Sequence, residues 1–128
     1  MKHLIAASLV LVGLIHLLPL TGVLGGERLA ALYGLPLDEP NIAILMRHRA
    51  VLLGLLGAFL LWAAFVPSLQ ALAFIAGWVS VGSFLWLAWS QGGYNAAVQR
   101  VVITDAVALV CLTVGLLAWV YQRAQLER

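Results

Sequence analysis

The sequence predicts an all-α integral membrane protein: a four-helix up-down bundle with a short interfacial helix between the first two spans. Three observations lead there. Hydrophobic residues fill 64% of the 128 positions and charged residues only 9%, with a mean hydropathy of +1.06. Soluble domains run near ~45–50% apolar and ~25% charged, and a water-soluble core of this length could not hide so much apolar surface, whereas lipid makes hiding it unnecessary. A span needs roughly 20 residues, so the apolar content fits four spans and not six. The apolar residues also fall into four runs, approximately 4–24, 42–65, 69–89 and 97–121. Their links are short, which makes consecutive helices antiparallel neighbours in a single transmembrane domain over 1–128. Soluble enzymes, disordered chains and disulfide scaffolds are excluded. Seven basic residues and a net charge of +2 are too few for a nucleic-acid footprint, and Cys111, the one cysteine, cannot form an internal disulfide.

The elements follow in chain order. Lys2 precedes the first apolar run, Leu4 to Leu24. With Val23-Leu24-Gly25 as a weak cleavage site it has the outline of a signal peptide, but its length favours an uncleaved span that Pro19 kinks or ends. Gly25 and Gly26 open a polar connection. Within it Leu29, Leu32 and Tyr33 share one side of a short helix lying on the membrane, closed by Gly34. Leu35 to Asn41 reads as an extended turn with Asn41 capping the second span, and Ser68 is the expected cap of the third. Ser90 to Asn95 forms the last turn, and a polar tail, Gln122 to Arg128, ends the chain.

Small residues stripe three spans: Ala50, Gly54, Gly57 and Ala58; Ala73, Ala76, Gly77, Ser80 and Ser83; Thr104, Ala108, Cys111, Gly115 and Ala118. Such stripes let helix backbones approach in lipid, and ordinary bundle packing explains them. Trp62, Trp86, Trp89 and Trp119 read as an interfacial belt, while Trp78 is deep enough to line a cavity. Lys2, Arg123 and Arg128 lie on the side of the termini, so loop charges favour both termini in the cytoplasm of a multi-pass protein of the bacterial inner membrane. Counting Arg47, Arg49 and Arg100 for the far side reverses that balance, but they fall inside helices.

The functional clue is where the few polar groups fall. The end of the first span, the start of the second, the end of the third and the start of the fourth meet on the side away from the termini. His16, Arg47, His48, Arg49, Tyr94, Arg100 and Asp105 all belong to that half and form the candidate ligand-binding set. His16 lies roughly 12 Å from that surface and the Arg-His-Arg run roughly 8–11 Å inside it, at 1.5 Å per residue. Gln91, Asn95 and Gln99 add neutral polar groups at the mouth. Charge at depth survives where it finds partners or water. Asp105 and Arg100 sit roughly 140° apart on their helix, so the expected partner of Asp105 is Arg47, Arg49 or His16. Arg47 lies nearer the small-residue face than Arg49, which makes it the expected inward arginine, with Arg49 snorkelling to headgroups. The bland reading of the cluster is an interhelical ion-pair lock, and that of His16 a hydrogen-bonded structural histidine.

No catalytic residue and no metal site is assigned. His16 and His48 could face each other as haem ligands, but no His-x3-His or Cys-x2-Cys spacing accompanies them. There is no Walker loop, Ser-His-Asp set or dinucleotide fingerprint. Pocket physics, apolar walls with a few convergent polar groups, points to a non-enzymatic binder of a lipid-like or quinone-like molecule. Its expected partners are membrane lipids and a membrane-protein complex or a second copy, with no nucleic acid. Two alternatives stand beside it. One is a small proton-coupled transporter using Asp105 and His16, although small multidrug exporters place an essential Glu in a first span that here has no acid. The other is a membrane-embedded enzyme pairing a histidine with Asp105.

The segment Leu32-Tyr-Gly-Leu-Pro-Leu-Asp-Glu-Pro-Asn-Ile-Ala-Ile-Leu-Met-Arg-His-Arg-Ala-Val-Leu-Leu-Gly54, with Gly13-Leu-Ile-His16 and Trp89-Ser-Gln-Gly-Gly-Tyr-Asn95, resembles small bacterial four-helix membrane proteins, broadly DoxX-like. The resemblance covers essentially the whole chain. DoxX-like proteins are linked to quinol oxidase subunits and redox membrane complexes, so the resemblance implies an accessory role in such a complex, but it transfers no named site. Some similar proteins carry the label phosphopantetheine adenylyltransferase. That soluble α/β class uses a His-x-Gly-His type motif, whereas His16 stands in Gly-Leu-Ile-His-Leu-Leu with no α/β pattern around it.

Overall fold

The computed structural model describes residues 1–24 and 26–128, and among them every regular element is helical. Gly25, where the sequence reading opens the first connection, lies outside the described residues. Five α-helices follow one another: α1 (Lys2–Leu17), α2 (Gly26–Tyr33), α3 (Pro40–Ala63), α4 (Gln70–Gln91) and α5 (Ala96–Leu126). Four helical segments, Lys2–Val23, Pro40–Ala63, Pro67–Gln91 and Ala96–Leu126, are long and apolar enough to cross a membrane. The all-α four-helix bundle is therefore the fold, with α2 as the short fifth element.

Several helix ends differ from the sequence reading, each for a local reason. α1 stops at Leu17 and continues as a 3-10 segment, Leu18–Leu24, because Pro19 lacks the amide an α-helix needs. α3 is capped by Glu39 rather than Asn41. The Glu39 carboxylate accepts from the amides of Asn41 (3.0 Å) and Ile42 (2.9 Å), and Pro40 takes the first helical position, where no amide is missed. A carboxylate at a helix start also meets the positive end of the helix dipole. Those two amides hold the Glu39 carboxyl below its ordinary range. Ser68 does not cap: Pro67–Leu69 forms a 3-10 turn that runs directly into α4. α5 begins at Ala96 and continues to Leu126, taking in most of the expected polar tail.

α1 is the central helix. In its most apolar 18-residue stretch 39% of the residues are buried, against 22% in the corresponding stretch of each other span, and it packs mainly on α3 and α5. The α1–α3 crossing is set by glycines. A Cβ on Gly57 would stand 2.7 Å from the Gly13 carbonyl oxygen, closer than real side chains approach backbone. Ile5, Leu9 and Val12 of α1 meet Leu60, Phe74, Val81 and Leu112 in the main core. The small stripes do face this packing at Ala50, Gly54, Gly57, Ala73, Gly77, Ala108, Gly115 and Ala118, while Ala58 and Ser83 are exposed. Trp78 is exposed too, and it is not among the residues lining the cavity described below.

The helix between the first two spans docks on the bundle. Leu29 and Tyr33 of α2 are buried with Ala50 of α3, and Val98 and Val101 of α5 pack against them. Leu32, expected on the same face, is exposed. Gly34 ends α2 at φ +64°, and the amide of Leu35 returns to the carbonyl of Ala30 at 3.2 Å, the six-to-one closure that a glycine in the left-handed region allows. Asn95 then fastens this end to α5. Its Nδ2 donates to the carbonyls of Tyr33 (2.9 Å) and Gly34 (3.2 Å), while its Oδ1 accepts from the Val98 amide at 2.8 Å as the α5 N-cap.

Candidate functional site

A cavity of about 170 Å³ lies in the half of the bundle away from the termini, between the end of α1, α2 and the facing turns of α3, α4 and α5. His16, Arg49, Arg100 and Asp105 line it. Of the residues singled out from the sequence, Arg47, His48 and Tyr94 do not. Tyr33, Ser80 and Phe84 join the lining instead.

His16 sits in the last turn of α1, only 5% exposed. Its Nδ1 is 2.9 Å from the Val12 carbonyl oxygen, and a carbonyl only accepts, so Nδ1 carries the hydrogen and donates. Burial disfavours a charged imidazole, and in the neutral ring Nε2 is then the acceptor, to which the Ser80 hydroxyl of α4, 3.0 Å away, donates. Both ring nitrogens are satisfied. This bond also joins α1 to α4, which touch little elsewhere.

Arg49 comes from the third turn of α3 and is half-buried. Its guanidinium lies over the rings of Tyr33 (5.2 Å) and Phe84 (5.5 Å), and Nη1 donates to the Tyr33 hydroxyl. The planar, weakly hydrated guanidinium suits such aromatic contacts better than a compact, strongly hydrated ammonium. Arg49 shares the cavity lining with His16 and Asp105. On α5, Arg100 is exposed at the mouth, and Asp105 lies about 7.5 Å deeper at 1.5 Å rise per residue. Between them the Thr104 hydroxyl donates to the Arg100 carbonyl at 2.9 Å and is satisfied within its own helix.

The inward arginine is therefore Arg49, not Arg47. Two residues turn a helix by about 200°, so the pair must face opposite ways. The small-residue side of α3 packs on α1 and its 3-10 extension, where a Cβ on Gly54 would run into Leu20. Arg47 follows that side and meets the open carbonyls of the 3-10 turn. Its Nε and Nη2 donate to the Val23 oxygen at 3.0 and 2.7 Å. Arg49 is left facing the cavity. His48 and Tyr94 are exposed.

Ser80 appears in the sequence only as one member of a small-residue stripe. Nothing local ties it to a histidine 64 positions away. Tyr33 reads as part of an apolar face, and its hydroxyl is used only because α2 docks. Together the lining offers donors (Arg49, Arg100 and the Tyr33 O–H) and acceptors (Asp105 and the Ser80 oxygen) against apolar walls from Ile15, Leu53 and Val101. Among the described residues no three His, Cys, Asp or Glu side chains gather as a metal-binding set. No protein-family model, curated protein or solved structure matches the chain.

Proposed function

We propose that the protein binds a lipid-like or quinone-like amphiphile in the membrane, its polar head in the cavity and its tail against the apolar helix faces. The carrying observation is the cavity itself. Five of the chain's ionisable side chains, His16, Tyr33, Arg49, Arg100 and Asp105, converge on a space of about 170 Å³ whose remaining walls are largely apolar, the composition expected of a small-molecule site. Its size supports a compact head. An engineered cavity of ~150 Å³ holds one benzene ring, so this one takes a single ring or a group of that bulk.

In this reading the protein is a multi-pass component of the bacterial inner membrane with both termini in the cytoplasm, supported by Lys2, Arg123 and Arg128 at the terminal ends of α1 and α5. The cavity then opens in the outer half of the bilayer. Service as an accessory subunit of a larger membrane complex, or as a homo-oligomer, belongs to the same reading. The test is mass spectrometry of amphiphiles that co-purify with the wild type and with an Arg49→Gln, Arg100→Gln double variant. Loss of one species from the double variant supports the proposal, and an unchanged complement overturns it.

A further inference from the structure

The hydrogen-bond directions at His16 restrict what the bound head can be. Because Nδ1–H is committed to the Val12 carbonyl, the Ser80 proton is committed to Nε2. Toward the cavity Ser80 is left with oxygen lone pairs and no hydrogen, so this wall accepts. A carbonyl head has nothing to donate to it. A carboxylate or phosphate head would bring more lone pairs against it. A hydroxyl satisfies it, and the cavity volume of about 170 Å³ limits the group carrying that hydroxyl to about one ring.

The charges surrounding this point extend the argument. Tyr33 faces the cavity from α2, Arg49 from α3, and Arg100 and Asp105 from α5, so two cations stand against one acid. Such an excess favours an anion on the ligand. Burial and the nearby Arg49 charge oppose a lone imidazolium, so the proton given up by the ligand rests on His16 only as an ion pair with the anion it leaves behind. Resting on the amphiphile reading, we infer that the site takes a tail-bearing phenol-type ring and draws the proton of its hydroxyl through Ser80 to His16. The transfer balances without any oxidant or reductant. The ring O–H gives its proton to the Ser80 oxygen as the Ser80 proton passes to Nε2, leaving a phenolate beside the arginines and an imidazolium. Its Nδ1–H stays on the Val12 carbonyl, which accepts more strongly from the cation. Val12 makes the chain directional, because its carbonyl prevents the ring from presenting Nδ1 as the acceptor.

A dodecyl-substituted nitrophenol, whose phenolate absorbs in the visible, and its methyl ether test this on the purified protein in lipid nanodiscs. The phenol is expected to bind at least tenfold more tightly than the ether. Its phenolate band should appear at a pH where the same compound in empty nanodiscs is still neutral. His16→Gln and Ser80→Ala should each remove the band, while His48→Gln, on an exposed residue outside the cavity, retains it. Equal binding of phenol and ether overturns the proton-transfer inference and leaves the amphiphile reading standing. No binding of either compound overturns both. If one variant does not fold, persistence of the band in the other is sufficient to overturn the relay.

Discussion

Asn95 fastens the end of α2, whose Tyr33 lines the cavity, and two substitutions there separate its two jobs. Its oxygen caps α5, and its amide nitrogen fastens the end of α2 through the carbonyls of Tyr33 and Gly34. Asn95→Ala loses both. A lost N-cap costs about 1 kcal/mol, and the two hydrogen bonds, one part-buried and one exposed, are taken at about 0.5 kcal/mol each, giving about 2 kcal/mol in all. Asn95→Asp keeps a good cap but replaces the donor with an oxygen facing two carbonyls, so it loses about 1 kcal/mol, all of it in the docking of α2. Global stability is read from SDS titration of the helical signal in mixed micelles. Local opening of α2 is read from trypsin cleavage after Arg28, an exposed residue on that helix. The alanine variant should be the less stable globally. Both variants should be cut about fivefold faster at Arg28, the equivalent of about 1 kcal/mol. Wild-type cleavage of the aspartate variant would refute the claim that the Asn95 amide holds α2 in place.

Four further outcomes follow from the packing and the caps. Gly57→Ala puts a methyl against the Gly13 backbone and should destabilise the protein by about 1–3 kcal/mol in SDS titration, whereas Gly82→Ala, with open space around it, should stabilise α4 by about 0.5–1 kcal/mol. Ser80→Ala leaves the buried Nε2 of His16 without its donor and should cost about 1–3 kcal/mol by the same measurement. Arg47→Gln should leave co-purifying amphiphile unchanged while Arg49→Gln removes it, by mass spectrometry, because only Arg49 lines the cavity. Glu39 carries a pH dependence. Its folded carboxyl titrates below the ordinary 4.5, so its contribution is full above that value and is lost as pH falls through the lower folded value. Glu39→Gln should flatten stability against pH in that acid window.

The bundle was legible because lipid makes apolar run length a nearly sufficient signal, and four runs of span length leave little else to build. The half of the bundle that holds the cavity was legible too, since chain order alone brings the ends holding His16, Arg49, Arg100 and Asp105 to one side. Rotation was the missing quantity. Arg47 and Arg49 stand two residues apart, and which of them turns inward depends on how α3 sits against α1, a matter of Gly13, Gly57 and Leu20 rather than of the arginines. The caps failed for a related reason. Glu39 displaced Asn41 because Pro40 starts the helix two residues earlier, and the Glu39 carboxylate reaches the amides of Asn41 and Ile42.

The sequence by itself determined the solvent, the number of spans, their order and the end where polar groups collect, because these depend on composition and on length along the chain. Tertiary structure alone decided that Ser80 meets His16, that Tyr33 folds over Arg49, and that Arg47 is spent on the Val23 carbonyl. Those contacts join residues from 16 to 64 positions apart. They depend on helix rotation and on the docking of α2, set jointly by glycines, a left-handed turn and an asparagine that no single-helix pattern links together.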